Sequence, residues 1–443
     1  MIFSYFDNNG PSSTRTAMIH SSVAHEHYTP KLFTLLRQGY RLDDFRHDAL
    51  AGLTVAIVAL PLAMALAIAS GTTPDKGLTT AIVAGLIISF LGGSRVQIGG
   101  PTGAFVVIVF NAIQQFGYDG MVMATLMAGI MLLVAGAFRL GSYIRLIPEP
   151  VVKGFTAGIA VIILTSQVGA FLGLTIAHEP GDVAGKWQAY FAAMNTLQPL
   201  TLLIGAAAFG IIVALTRFAP RLPGFLLAVA AASLLAGLLP APIPTIGSRF
   251  GGIPHSLPMP SWPVFSPEMI LRLLPTAFSF ALLAGIESLL SAMVADGMIG
   301  RQHRSNCELL AQGVANIASA FFGGLPATGA IARTATNIRA GARTPVAGMM
   351  HAVWLLVFML AAAPMASYVP LSSLAAVLFI VAWNMSEAKH LPRFLRNASK
   401  PDQAMLATTF VLTVLVDLTV AIGAGVALAA FFSYRGRLKV QSK

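Results

Sequence analysis

The stretch Gly323-Gly324-Leu325-Pro326-Ala327-Thr328-Gly329-Ala330-Ile331-Ala332-Arg333-Thr334 places a permanent charge, Arg333, in apolar surroundings. Gly and Pro interrupt the helix before it, and Arg333 falls one or two turns into the helix that follows. A helix that begins inside a membrane starts with backbone N–H groups that have no partner of their own. Its N-terminal end also carries roughly +0.5 of an elementary charge. Lipid supplies no acceptor, so such an interruption has to line protein or a water-filled cavity. Free N–H groups with a guanidinium beside them suit an anion. An arginine at mid-membrane costs about 2.5–3.5 kcal/mol on insertion scales, and a bound anion would offset part of that. The alternative is an arginine that snorkels, or one that pairs with a carbonyl or carboxylate to hold two helices together.

A second stretch is built alike. Phe90-Leu91-Gly92-Gly93 precedes Pro101-Thr102-Gly103-Ala104-Phe105, as Phe321-Phe322-Gly323-Gly324 precedes Pro326 and Thr328-Gly329-Ala330-Ile331. The two lie about half the chain apart, with seven apolar spans between them, and an odd number inverts the second copy. Inverted repeats interrupted by Gly and Pro at matching places mark transporter sites. Val96–Gly99 leads into the first copy as a short strand-like run. Two inverted copies would aim two helix N-termini at each other.

Glu287 is the second charged outlier, inside the run Leu282–Ser291. It could carry a coupling proton, bind Na⁺ or neutralise Arg333. The matching region of the first half, Pro61–Leu62, is uncharged, so the acid and the base both come from the C-terminal half. Gln114, Gln167, Asn316, His351 and Asn384 read as interhelical hydrogen-bonders, and runs such as Gly154–Gly158 as close-packing surfaces. Asp296, Arg301 and Arg304 read as a solvated cytoplasmic loop.

The elements that must hold these residues follow from composition. Only 10% of the 443 residues are charged and 56% are hydrophobic, against about 25% charged in soluble domains. A soluble chain of this size could not cover its surface. Charge-free runs such as Ala49–Ser70, Val96–Tyr118, Gly154–Ala177, Gln188–Thr216, Leu222–Ser248 and Pro345–Ser386 approach or exceed the ~20 residues of one span. Gln403–Tyr434 is broken only by Asp417, a short loop between two spans. The count is about fourteen. The division is a cytoplasmic N-terminal segment 1–47, a transmembrane domain 48–434 and a short cytoplasmic tail 435–443.

The net charge of +11 follows membrane topology and calls for no nucleic acid. With both termini inside, most basic residues fall on the cytoplasmic side, including Arg15, Arg95, Arg145, Arg221, Arg339, Arg343 and Lys443. Lys76, Lys186 and Arg249 fall outside. The first 48 residues hold no signal-peptide core. The single cysteine, Cys307, supports neither a disulfide framework nor a metal cluster. No metalloprotease motif, paired carboxylates within a span or nucleophile–base pair is present, so the chain reads as no enzyme, with no cofactor and no metal.

These motifs resemble the sulfate permease family, bacterial relatives of solute carrier family 26. The likeness rests on Ala51-Gly52-Leu53-Thr54-Val55 with Ala59-Leu60-Pro61-Leu62-Ala63, on Gly99-Gly100-Pro101-Thr102-Gly103-Ala104-Phe105, and on Gly329-Ala330-Ile331-Ala332-Arg333-Thr334 with Asn337 and Gly341. It spans about Asp48 to Phe432. The resemblance implies an all-α membrane fold of fourteen segments in two inverted seven-segment repeats, with core and gate domains and two half-helices each preceded by a short strand. It implies elevator-like alternating access in the cytoplasmic (inner) membrane, a small-anion substrate with sulfate foremost, and a homodimer. It places the substrate at Thr102, Gly103, Ala104 and Phe105 on one side and at Gly329, Ala330, Ile331, Ala332 and Arg333 on the other, with Glu287 from the eighth segment; Glu287 itself reads as the proton-coupling residue. A C4-dicarboxylate or bicarbonate carrier and an uncoupled anion channel are the alternatives.

Three features depart from the family pattern. Members usually carry a cytoplasmic STAS domain after the last span, and this chain stops at Lys443. Animal members often have Ser where Ala332 stands. Na⁺-coupled bicarbonate members use an Asp and several hydroxyls near Glu287 and Ile331, and Ile331 offers no oxygen, which favours proton coupling or exchange.

Overall fold

The computed structural model describes residues 28–142, 148–177, 179–220, 222–239, 242–264, 267–416 and 418–441. Arg15, Arg145, Arg221, Asp417 and Lys443, and with them most of the N-terminal segment, lie outside the described residues. An apolar chain out of reach of water has to satisfy its backbone within its own helices, and helix accounts for about three quarters of the described chain. In order, the elements are α1 (Lys31–Gln38), α2 (Leu42–Ala69), α3 (Pro74–Leu91), β1 (Gly99–Gly100), a 3₁₀ turn (Gly103–Phe105), α4 (Val106–Ala137), α5 (Glu149–Leu172), α6 (Val183–Ala192), α7 (Pro199–Phe218), α8 (Gly224–Leu238) and α9 (Ile246–Phe250). The second half continues with α10 (Pro267–Ile299), α11 (Ser305–Phe321), β2 (Thr328–Gly329), α12 (Ile331–Arg339), α13 (Val346–Ala366), α14 (Leu371–Met385), α15 (Leu391–Asn397), α16 (Lys400–Leu415) and α17 (Leu418–Gln441).

Among the described residues seven helices are long and apolar enough to cross a membrane: α2, α3, the turn with α4, α5, α7, α10 and α13. The rest of the count comes from shorter pieces. Gly117, at φ 73°, divides α4 into an outgoing and a returning segment. β1 and β2 lead into segments three and ten. With α8, α11, α14, α16 and α17 the described residues make fourteen segments, the expected number. The run Gln188–Thr216 is not one span: α6 ends within it, and α7 begins at Pro199, suited to a first helical position. α17 continues to Gln441, so residues 435–441 extend the last helix.

Packing reveals the inverted repeat. α2 lies on α13 as α10 lies on α4; α3 lies on α13 as α11 lies on α4; α5 packs on α16 as α14 packs on α7. Each contact in one half returns with the halves exchanged. α2, α3, α4 and α10–α13 form a core body, and α5, α7, α14, α16 and α17 form the gate body beside it.

The repeats meet where both helices are broken. β1 pairs antiparallel with β2, Gly99 opposite Gly329 and Gly100 opposite Thr328. The expected strand-like run Val96–Gly99 therefore enters the ladder only at its last residue. The preceding backbone is held otherwise. Ile98 donates its N–H to Thr334 Oγ1 at 3.0 Å and accepts from the Ala330 N–H at 2.8 Å. The Val96 carbonyl accepts from Asn337 Nδ2 at 2.9 Å. The two Thr-Gly-Ala triplets also differ in register. Helix opens one residue after Thr102 but three after Thr328, which itself lies in β2. Pro101 follows the first strand and ends it for want of an N–H, whereas Pro326 precedes the second.

Candidate anion-binding site

Antiparallel strands send the chain away in opposite directions, so the half-helices begin back to back at the strand pair. Each supplies N–H groups that no helical turn precedes. Those of Gly103 and Ala104 on one side, and of Ile331, Ala332 and Arg333 on the other, find no acceptor among the described residues. The first bonded groups are Phe105 N–H, donating to the Thr102 carbonyl at 3.2 Å, and Thr334 N–H, donating to the Ala330 carbonyl at 2.9 Å.

Arg333 is buried, and its Nη2 donates to the Pro101 carbonyl of the opposite half. A guanidinium has five donors, so one bond anchors it without saturating it. Gly100 leaves it room: a Cβ there would stand 2.7 Å from Arg333 Nη1, and Gly100 has φ +142°. Gly329 is as tightly constrained, since a Cβ would fall 1.5 Å from Gln97 Nε2. Glu287 is buried on α10 and accepts from Thr102 Oγ1 at 2.7 Å. Among the described residues no ion pair joins it to Arg333, so neutralisation of Arg333, one of the roles the sequence left open, is not made by direct contact. Acid and base each grip the first-half turn, one at Thr102 and the other at Pro101.

The remaining predicted residues gather at the same place with different surroundings. Phe105 is buried edge-on against Phe280, ring centres 5.9 Å apart. Ala104 and Ala330 are buried, whereas Ile331 is 38% exposed and Ala332 is exposed beside it. A Cβ on Gly103 would meet Met385 Sδ at 2.9 Å and Ile163 Cδ1 at 3.0 Å, so gate helices α14 and α5 close against the turn there.

A buried polar cluster behind the strands escaped the sequence reading. Glu308 Oε2 accepts from the Gly93 N–H at 2.9 Å, and Oε1 accepts from Ser288 Oγ and Gln312 Nε2, both at 3.0 Å. Gln97 Nε2 donates to Ser288 Oγ at 2.9 Å. Ser291 Oγ lies 3.2 Å from Thr334 Oγ1, and Thr328 Oγ1 donates to the Ala284 carbonyl at 2.8 Å. The face of α10 that presents Glu287 is thus tied to both strand entries. Of the expected hydrogen-bonders, Asn316 holds the turn before β2, donating to the Ala327 carbonyl at 2.9 Å and accepting from its N–H at 2.8 Å. Gln167 is buried against Ser166, Gln114 and Asn384 are exposed, and His351 is buried with both ring nitrogens unpartnered. Among the described residues no group of His, Cys, Asp and Glu could hold a metal ion.

Known proteins share the sequence and the fold of this chain. Residues 45–409 match the sulfate permease family. YvdB of Bacillus subtilis, whose given name proposes sulfate transport, is 46% identical over 90% of this chain and 75% of its own. The solved transmembrane domain of the cyanobacterial bicarbonate transporter BicA is 32% identical and superposes with a TM-score of 0.78, over 86% of this chain and 98% of that one. Murine Solute Carrier 26 family member A9, solved in an inward-facing state, shares the fold at a TM-score of 0.83 and 18% identity, over 97% of this chain and 74% of that one.

Proposed function

This chain belongs to the sulfate permease family, and on that premise we propose that it carries sulfate across the cytoplasmic membrane, held between the two half-helix N-termini. The chain is a multi-pass membrane transporter and not an enzyme. The carrying observation is the set of five backbone N–H groups, from Gly103, Ala104, Ile331, Ala332 and Arg333, that find no acceptor among the described residues, together with the under-used Arg333 guanidinium. A tetrahedral oxyanion presents acceptors in every direction, and two opposed N-termini meet it from two sides. The name of YvdB supports sulfate. Bicarbonate is the second reading, favoured by the likeness to BicA, because N–H groups and one arginine serve any small oxyanion.

Transport then follows from the division into bodies. Thr102, Gly103, Ala104, Phe105 and Gly329–Arg333 ride on the core and would carry the anion past α5 and α14, whose Ile163 and Met385 face Gly103. This elevator-like exchange of access suits a site exposed at Ile331 and closed at Phe105. Glu287, bonded to Thr102 Oγ1 beside the anion, is the group we assign to proton coupling. Along the sequence, most basic residues fall in the segments that an even number of spans sets on the same side as both termini, which supports cytoplasmic termini. A homodimer is proposed on family grounds and is checked by cross-linking in native membranes.

Purified protein in liposomes, offered labelled sulfate, bicarbonate, fumarate and chloride with and without pH and Na⁺ gradients, tests the reading. Saturable sulfate uptake that rises with an inward proton gradient is the expected result. Non-saturating anion flux would indicate a conductance and overturn it.

A further inference from the structure

The link between α5 and α7 buries a lysine. An ammonium out of water has to be held by other groups. Lys186 on α6 is 3% exposed. Its Nζ lies 2.5 Å from Glu179 Oε1 and 4.7 Å over the centre of the Phe110 ring. Glu179 also accepts from Tyr190 Oη at 3.1 Å. The sequence reading left Lys186 in an outer loop, where nothing required burial.

The two ends of this contact belong to different bodies. α6 is fastened to the gate: Tyr190 is fully buried, and its ring lies 3.1 Å from where a Cβ on Gly169 of α5 would stand. Asp182 caps the helix, accepting from the Gly185 N–H at 2.6 Å. Phe110 and Asn111 belong to α4 of the core. Asn111 Oδ1 would lie 3.1 Å from a Cβ on Gly181, and Phe110 would lie 3.1 Å from one on Gly71. At about 1.5 Å of rise per residue, Phe110 stands roughly 7–8 Å beyond Phe105 along the half-helix axis. α6 therefore packs on α4 beyond the site, on the side toward which that half-helix runs from its N-terminus.

We infer that α6 is the outer gate of the transport path and that Lys186 is the residue that holds it shut. Seated, its ammonium lies on Phe110. A cation over a ring is attracted only within about 6 Å of the centroid, so any sliding of core past gate that opens the outer side parts Lys186 from Phe110. Glu179 travels with Lys186, which keeps the ammonium paired in both positions. This inference rests on the transport reading and adds to it the part that closes the outer face.

The test bridges core to gate. Asn111→Cys with Gly181→Cys places two thiols across the contact, and the sole native cysteine, Cys307, is buried and does not compete. A short bis-thiosulfonate reagent should bridge the pair and reduce sulfate uptake at least tenfold in liposomes, with recovery on adding reductant. Uptake by the reduced protein tests transport independently of the gate. Full-rate uptake by the bridged protein, or failure of the pair to bridge, would overturn the gate while leaving transport standing. A second measurement isolates the lysine. Lys186→Met should speed labelling of Asn111→Cys by a membrane-impermeant maleimide severalfold, at unchanged melting temperature, and Lys186→Arg should restore slow labelling. Equal labelling rates in all three would remove Lys186 from the role.

Discussion

The two half-helices differ in chemistry most sharply at their third residue. Counted from the first helical position, that residue is Phe105 in the N-terminal half and Arg333 in the C-terminal half. Both are buried, within a few per cent of full enclosure. Phe105 packs on Phe280 and closes its side, while Arg333 reaches across to the Pro101 carbonyl and brings the charge. The open position is likewise one-sided: Ile331 is exposed, whereas Gly103 faces Ile163 and Met385 of the gate. The pseudo-symmetric backbone supplies two facing sets of donors, and the side chains make them unequal. A symmetric frame suffices to hold an oxyanion; direction and coupling need the asymmetry.

Removing the charge should break the comparison most severely. Arg333→Ala loses hydrogen bonds to a charged group worth about 1.5–3 kcal/mol each, so sulfate uptake should fall on the order of 100-fold in liposomes while elution and melting stay near wild type. Near-normal uptake would mean the halves are equivalent. Next in size is Gly329→Ala, whose Cβ would fall on Gln97 Nε2. Gln97 is held by Ser288 and gives way only by losing its bonds there, and overpacking of about 1–3 kcal/mol should lower the melting temperature by several degrees. Gly103→Ala meets the flexible Met385 thioether instead, so it should alter transport rate and leave melting unchanged. Equal melting of the two variants would contradict the packing described. Glu287→Gln keeps an oxygen for Thr102 and should retain basal uptake but lose its stimulation by an inward proton gradient; a preserved response excludes Glu287 as the coupling group. Phe105→Leu is the mildest: loss of the edge-on pair should cost about 0.5–1.5 kcal/mol of stability, read by melting, with a fall in uptake much smaller than that of Arg333→Ala.

The spans, the broken helices and Arg333 were legible because their signals are local. A charge in an apolar run and a Gly/Pro break can be read without knowing what lies across the membrane. The register of the repeat was not. The same letters, Thr-Gly-Ala, open a helix in one half and form a strand in the other, because Pro101 follows its strand and Pro326 precedes its own. Gln97 and Glu308 were invisible for another reason. Gln97 meets Ser288 across 191 residues of sequence, and Gly93 meets Glu308 across 215. Each reads alone as an ordinary polar residue near a span end. Lys186 looked like an outer-loop lysine because burial by Phe110 is a tertiary fact. Glu287 stood out correctly as an outlier, but its bond to Thr102, in place of a pair with Arg333, depends on how α10 is rotated by the Ser288–Glu308 cluster.

Selenate, a sulfate analogue with a heavier scatterer, offers the most direct test of an anion held between the half-helices. In protein soaked with selenate, the anomalous peak should lie within hydrogen-bonding distance of the N–H groups of Gly103 and Ala104 and of Ile331–Arg333 together, and it should vanish in Arg333→Ala. A selenate peak elsewhere in the core, with this gap vacant and sulfate uptake still competed by selenate, would contradict the account.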